Sequence, residues 1–240
     1  VGTERLERDV RSMFPDRVTR RMDSDTMRAP GSHEKVLSAF KAGQIDILLG
    51  TQMIAKGLDF PEVTLVGVIN ADSALHMPDF RAAERTFQLV AQVAGRTGRG
   101  DKPGRVLVQT YNPDAPAIYL AAEHDYISFV EEELPKRREH GVPPFGRVIR
   151  LIARGEAEPV VELYLKQLAE ALVVAAPLGV RVLGPAPAPV AKIRNSFRYH
   201  LQLRAALVRP LREALKLVLP QFQPPSGVEL VVDVDPMSML

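Results

Sequence analysis

The sequence predicts an α/β chain in two parts, a doubly wound parallel sheet followed by a smaller α+β unit of order βαββαβ. Two observations lead to this. From the N-terminus to about Tyr111, continuous apolar strands alternate with amphipathic helices, the pattern of βα units covering both faces of a parallel sheet. Beyond Pro143 and Pro144 the strands become alternating in character, and four of them are joined by two helices, the split arrangement with helices on one face. A chain of 240 residues is long enough for two such domains. The boundaries read as 1–112, a helix and linker over 113–144, and 145–240.

The elements follow in order. "GTERLERDVRSMF" is an amphipathic helix with Leu6, Val10 and Phe14 on one face. "RVTRRMD" is a short strand, and "HEKVLSAFKAG" a helix with Ser32 as its cap and Gly43 as its stop. "IDILLGT" is an apolar strand leading into a loop and helix turn, "QMIAKGLDFPE", and "VTLVGVINAD" is a second buried strand. "DFRAAERTFQLVAQVAGRTGR" is a long helix and "GRVLVQTY" a further strand. The stretch from Asn112 reads as one helix closed by Pro135. In the second part "GRVIRLIARG", "GVRVLGP", "FRYHLQLRAAL" and "GVELVVDVDP" are strands, with helices at "EPVVELYLKQLAEALVVAA" and "PLREALKLVL". "GPAPAPVA" reads as a stiff proline-rich connection between strands.

Composition narrows the function classes. Hydrophobic residues at 46% with charged residues at 25% suit a globular chain with real cores. No apolar run reaches the roughly 18 residues that span a membrane, and "VGTERLERDV" is not a signal peptide. The absence of Cys excludes disulfides and thiolate metal sites within these residues and fits a cytoplasmic origin. A net charge of +2 does not announce nucleic acid, so the distribution of charge decides.

"QVAGRTGRG" puts Gln92, Arg96 and Arg99 among Gly95, Gly98 and Gly100. Residues three apart share a helix face, so both guanidiniums can aim at one target left bare by the glycines. A polyanion such as a triphosphate suits that pair; a glycine-softened helix end with solvated arginines is the alternative. Other candidates fail. His33, His76, His124, His140 and His200 show no metal-ligand spacing, and "GTQMIAKG" is not a phosphate loop, because Lys56 precedes Gly57 and no Ser or Thr follows. Asp233 and Asp235 share a strand face and suit either a cation or neighbouring basic groups.

"GTQMIAKGLDFPEVTLVGVINAD" resembles motif V of superfamily 2 helicases, and "QVAGRTGR" matches their motif VI, Q-x-x-G-R-x-G-R. The fuller run "ADSALHMPDFRAAERTFQLVAQVAGRTGRG", the start "GTERLERDV…FPDRVTRRMDSDT" and the late "VLGPAPAPVAKIRNSFRYHLQL…DVDP" are similar to the primosomal replication-restart helicases. That resemblance implies a RecA-like second motor lobe and a terminal domain, in an ATP-dependent helicase moving 3′ to 5′ on DNA at stalled forks. Arg96 and Arg99 would be arginine fingers on the γ-phosphate of ATP held with Mg2+ by a first lobe, and Gln92 would order the phosphate or its water. Gly57, Asp59 and Gly95 would border the nucleotide, with Asp59 alternatively capping the next turn, while Gly50 and Thr51 would contact the tracked DNA strand. No Walker A pattern occurs in these residues, nor do the paired cysteines of the family's zinc insertion. The chain therefore reads as the C-terminal part of such a helicase, or as a variant lacking a first lobe. A non-enzymatic DNA-structure-binding primosome scaffold is the alternative function.

From Ala171 to Arg212 there is no Asp or Glu, while Arg181, Lys192, Arg194, Arg198, Arg204, Arg209 and Arg212 fall inside the stretch. Strand alternation places Arg194, Ser196, Arg198 and His200 on one face and Phe197, Tyr199 and Leu201 on the other. Lys192, Arg194, Arg198 and Arg204 are the expected DNA contacts. A solvated basic face and docking of an acidic protein tail are the competing readings; the family resemblance favours the tail of single-stranded DNA-binding protein, alongside other primosome proteins, as a partner.

Overall fold

The computed structural model describes residues 2–23, 26–27, 31–51, 62–95 and 104–239. They divide into two compact units, 1–73 with 84–125, and 74–83 with 126–240.

In the first unit, helix α1 (Thr3–Met13) precedes strand β1 (Thr19–Met22), α2 (Ser32–Lys41) and β2 (Ile47–Gly50). Strand β1 runs parallel to β2, from Thr19 opposite Ile47 to Met22 opposite Gly50. Helix α1 is tied to this pair through polar groups: Thr3 Oγ1 donates to Asp23 Oδ2 at 2.8 Å, and Arg21 lies within 3.5 Å of carboxylate oxygens of Glu4, Glu7 and Asp23. That hydrogen bond, foremost, holds the Asp23 carboxyl below its usual range. Next come β3 (Leu65–Val68), α3 (Asp72–Leu75), α4 (Ala82–Ala94), β4 (Arg105–Val108) and α5 (Pro116–Ala122). Strands β3 and β4 are again parallel, Leu65 facing Arg105. The loops leaving them are knotted by Asp72, which is buried and accepts from Thr110 Oγ1 at 3.0 Å, the Tyr111 N–H at 3.0 Å and Asn112 Nδ2 at 2.7 Å.

Parallel pairing is as expected, but one doubly wound sheet is not: the described strands form two separate two-stranded ladders. Each of these strands has four residues, which leaves few backbone groups to join the pairs. Other expectations are corrected locally. The N-cap of α2 is Gly31, at φ +75°, and Ser32 is already helical. Phe14 lies at the C-cap of α1, 47% exposed, rather than on a buried stripe. The single helix after Asn112 is two, α5 and α6 (Tyr126–Glu139), parted at His124, whose φ of +57° ends a right-handed helix. Helix α6 then runs through Pro135, giving up one backbone hydrogen bond.

The second unit has the expected βαββαβ order: β5 (Arg147–Gly155), α7 (Glu158–Ala175), β6 (Arg181–Ile193), β7 (Ser196–Ala205), α8 (Val208–Val218), a 3₁₀ turn at Leu219–Gln221, and β8 (Val228–Val234). Its sheet has the order β6-β7-β5-β8 with every neighbour antiparallel. Ile149, Leu151 and Ala153 of β5 and Tyr199, Leu201 and Leu203 of β7 alternate onto one face. Against them pack Val161, Leu165, Leu168 and Leu172, spaced along one stripe of α7, and Leu211, Ala214, Leu215 and Val218 of α8.

The proline-rich stretch is not a connection. It lies inside β6, whose pairing with β7 shifts register between Leu183 and Ala186 and again between Pro187 and Lys192. An edge strand tolerates residues without an N–H. Gly184 is required where the first shift occurs, because its φ is +102° and a Cβ there would stand 2.9 Å from the His200 carbonyl oxygen.

The core of this unit makes a quantitative prediction. Leu168 has no exposed surface, so Leu168→Ala should cost about 2–5 kcal/mol in urea unfolding. A loss under about 1 kcal/mol would mean that α7 does not pack as described.

Candidate functional site

The residues expected at the nucleotide divide into two sets. Gly57, Asp59, Arg96 and Arg99 lie outside the described residues, as does the helix turn at 52–61. The approach to them is described. Helix α4 buries Thr86, Phe87, Val90 and Val93 and carries Gln92, half-buried, on its last turn. Gly95 closes that turn, its N–H bonded to the Ala91 carbonyl at 3.1 Å. A Cβ at Gly95 would meet Ala91 O at 3.6 Å and His124 Cε1 at 3.8 Å, ordinary contacts, so local packing does not impose glycine there. Gly50 ends β2 and Thr51 follows it, both exposed at the carboxyl end of a parallel strand, where α/β units meet ligands.

The four expected DNA contacts are not brought onto one surface. Strands β6 and β7 close on a two-residue turn, Arg194–Asn195, with φ of +46° and +69°. Two left-handed residues make the tight turn whose twist matches a hairpin. Arg194 is therefore at the hairpin tip and does not share a strand face with Arg198. The signal was Asn195, a residue that tolerates positive φ. Lys192 pairs in register with Phe197, and its ammonium sits 4.3 Å from that ring's centroid. Directly opposed residues point to the same side, so Lys192 shares the face of Phe197 and Tyr199. Tyr199 is core and its hydroxyl donates to Glu158 Oε1 at 3.0 Å.

Arg198 and Arg204 are together, on the sheet face away from α7 and α8. Arg198 is half-buried and Nη1 donates to the Val190 carbonyl at 3.2 Å. Arg204 donates from Nε and Nη2 to Gln202 Oε1, at 3.2 and 2.8 Å. It stands directly opposite Arg181, and burial, then that like charge, lowers its pKa. Among the described residues no carboxylate forms an ion pair with Arg181, Arg198 or Arg204. The acids of this face are on β8, where Glu229 takes Arg154 bidentately at 2.9 and 2.8 Å.

Two residues of this face were missed at the sequence level as a pair. Arg150 is fully buried, and its Nε donates to His200 Nδ1 at 3.0 Å. The available sign was an arginine within the otherwise apolar run "VIRLIA". Accepting at Nδ1 requires neutral imidazole with its proton on Nε2. Burial, then the charges of Arg150 and Arg198, pushes the His200 pKa down to about 4 from 6.5. Burial also lowers the Arg150 pKa and Arg198 adds to that, while the charges of Asp233 and Asp79 oppose it. Asp233 thus faces Arg150 in register, whereas Asp235, at φ +52°, has left the strand and pairs with Arg147 at 3.9 Å. The two acids therefore do not share a strand face: one lies within β8 beside Arg150 and the other lies beyond its end beside Arg147.

The His200 shift has a sign. The unfolded chain binds a proton near pH 6.5 that the folded chain refuses until about 4, so stability is full above 6.5 and falls as pH drops through that window. The melting temperature should fall less between about pH 7 and about pH 4 in His200→Asn, which keeps an acceptor for Arg150, than in the wild type. Equal falls would show that the fold does not depress the His200 pKa.

Two family descriptions match the chain. Residues 11–101 match the helicase conserved C-terminal domain, and residues 138–237 the primosomal protein N C-terminal domain. The replication restart protein PriA of Bacillus subtilis is 41% identical over 243 residues, covering 100% of this chain and 30% of that protein. Its counterpart in Treponema pallidum is 42% identical over 240 residues, covering 100% and 36%, and that of Haemophilus influenzae 39% over 244 residues, covering 100% and 33%. The chain thus spans about a third of the length of these relatives.

Proposed function

The chain belongs to the PriA family of replication restart proteins, and from that premise we propose that it supplies the second motor lobe and a DNA-holding terminal unit of an ATP-dependent 3′-to-5′ helicase. The helicase would recognise and remodel stalled forks and start primosome assembly, with single-stranded DNA-binding protein and other primosome proteins as partners in the cytoplasm. The observation that carries this is the union, in one chain, of a helicase C-terminal segment ending in Q-x-x-G-R-x-G-R with a sheet edge on which Arg181, Arg198 and Arg204 form no ion pair with a carboxylate among the described residues. Residues 1–112 form the lobe and 145–240 the terminal unit in this reading, joined through 113–144.

Each residue has a part. Arg96 and Arg99 neutralise charge that develops on the γ-phosphate, an effect worth about 10³–10⁵ in rate where such fingers act. Gln92 orients the phosphate or the attacking water, and Gly57 and Gly95 keep the backbone bare beside it. Asp59 holds the ribose or a motif VI arginine. Gly50 and Thr51 bind a phosphate of the tracked strand. Arg198 and Arg204 hold phosphates on the sheet face, and Lys192 and Arg194 do so at the hairpin. Mg2+ would supply charge neutralisation on the phosphates when bound, held by a first lobe in this reading.

Two measurements test the reading. The chain alone should hydrolyse no ATP, and adding a first lobe that carries a phosphate loop should restore turnover. Arg96→Ala or Arg99→Ala should then lower kcat by about 10³-fold or more with little change in KM. Turnover by the chain alone, unaffected by Arg99→Ala, would overturn the two-lobe model, and no turnover after adding the lobe would favour the scaffold. Separately, the Arg198→Ala, Arg204→Ala double variant should flatten the plot of log DNA affinity against log salt by about 0.7–0.9 for each phosphate no longer neutralised. An unchanged slope would remove these residues from the DNA surface, and titration with an acidic peptide would then test the other partner.

A further inference from the structure

His200, on β7 of the second unit, carries a donor that the fold orients and does not use. A guanidinium has N–H groups and no acceptor, so the 3.0 Å bond from Arg150 Nε to His200 Nδ1 requires the imidazole proton to sit on Nε2. Arg150 has no exposed surface and is fixed in the middle of β5, so the sheet itself selects this tautomer. Burial, then the charges of Arg150 and Arg198, keep the ring neutral at pH 7, with its pKa pushed down to about 4. Nothing among the described residues accepts from Nε2. That nitrogen is not enclosed either: His200 is half-buried and Nε2 reaches solvent.

The surroundings of Nε2 are cationic and uncrowded. Alternate residues of β7 share this face about 6.8 Å apart, twice the rise of an antiparallel strand, so Arg198 and Gln202 flank His200 and Arg204 follows. Arg198 Nη1 donates to the Val190 carbonyl, and nothing among the described residues accepts from its Nε or Nη2. The Arg198 charge acts on both His200 and Arg150, so the three groups lie near one another. Opposite His200 on β6 is Ala186, small and exposed, with Gly184 nearby where the ladder shifts register, so neither covers the ring with a long side chain. On β5 the opposite residue is apolar Ile152. A third cation beside two guanidiniums would be repelled, whereas a neutral N–H is not. An anionic oxygen brought to this place finds charge in Arg198 and a directed donor in His200.

We propose that His200 is a DNA contact: its Nε2–H donates to a phosphodiester oxygen whose charge is met by Arg198, and Arg150 is the positioning residue that fixes the tautomer. The inference rests on the reading of this face as a DNA surface and adds to it a contact that carries direction and no charge.

The test is binding of a single-stranded DNA by the full chain across a salt series. His200→Asn keeps an acceptor where Nδ1 stands and places nothing where Nε2 stands. It should weaken binding about tenfold at every salt concentration, the scale of one hydrogen bond to a charged group, because a neutral donor displaces no counterion and leaves the slope of log affinity against log salt unchanged. His200→Gln carries its amide to the Nε2 position and should recover most of that affinity. Arg198→Ala, by contrast, should reduce the slope by about 0.7. A residue needed only to satisfy Arg150 gives the reverse order, with Asn binding like the wild type and Gln damaging; that order, or wild-type affinity in both variants, overturns the proposal. Should either variant fail to fold, the 15N-labelled wild-type chain is titrated with the same strand: the His200 Nε2–H resonance should shift on saturation, and an unmoved resonance overturns the contact. The two ideas fail separately. If Arg198→Ala, alone or with Arg204→Ala, leaves the slope unchanged, the DNA reading of the face falls; if the arginine variants flatten it while His200→Asn keeps wild-type affinity, only the role of His200 falls. An acidic peptide whose affinity drops in His200→Asn while that of DNA does not would place a carboxylate on Nε2 and likewise overturn it.

Discussion

Arg150 is a guanidinium with no exposed surface in the middle of a β-strand, and much of the C-terminal unit is arranged around it. Its neighbours Ile149 and Leu151 belong to the helix-covered core, so alternation sends Arg150 to the opposite sheet face. A buried cation costs several kcal/mol unless its surroundings compensate it. Here the compensation comes from three elements: neutral His200 on β7 accepts from Nε, and the charges of Asp233 on β8 and Asp79 on the inserted segment favour the ionised form. Neutral imidazole at His200 and the charges of Asp233 and Asp79 thus act on one buried cation, against the cost of its burial.

The same constraint splits the face into two halves of different character. On the β5–β8 side basic groups meet acids, Arg154 with Glu229 and Arg150 with Asp233. On the β6–β7 side Arg181 and Arg204 stand directly opposite one another and Gln202 is the partner that Arg204 finds. Like charges directly opposite across a ladder are destabilising, and on this side no carboxylate ion pair offsets them among the described residues.

Much of the second unit could be read from residue order because its signal is periodic. The stripe Val161, Leu165, Leu168, Leu172 on α7 and the alternation of Tyr199, Leu201 and Leu203 on β7 each need one buried face, and that need writes a period of 3.6 or 2 into the sequence. Single residues with unusual backbone were harder. Arg194 in a left-handed turn, His124 dividing α5 from α6, and prolines accommodated on an edge strand all depend on what neighbouring strands and helices demand. The first unit yielded its parallel pairing but not a continuous sheet, since four-residue strands carry too little pattern to state their order.

The sequence by itself determined the chemistry available: Gln92, Arg96 and Arg99 on helical spacing, an acid-free basic stretch, and the βαββαβ order, because each is a local property of residue type and interval. Only the tertiary structure decided which of these residues meet. It set Lys192 on the face opposite Arg198, carried Arg194 to a turn, joined Arg150 to His200 across 50 positions and bound Asp79 to Met239 across 160. Contacts at such separations arise from strand register and from the need to compensate a buried charge, and neither leaves a mark in any short window of sequence.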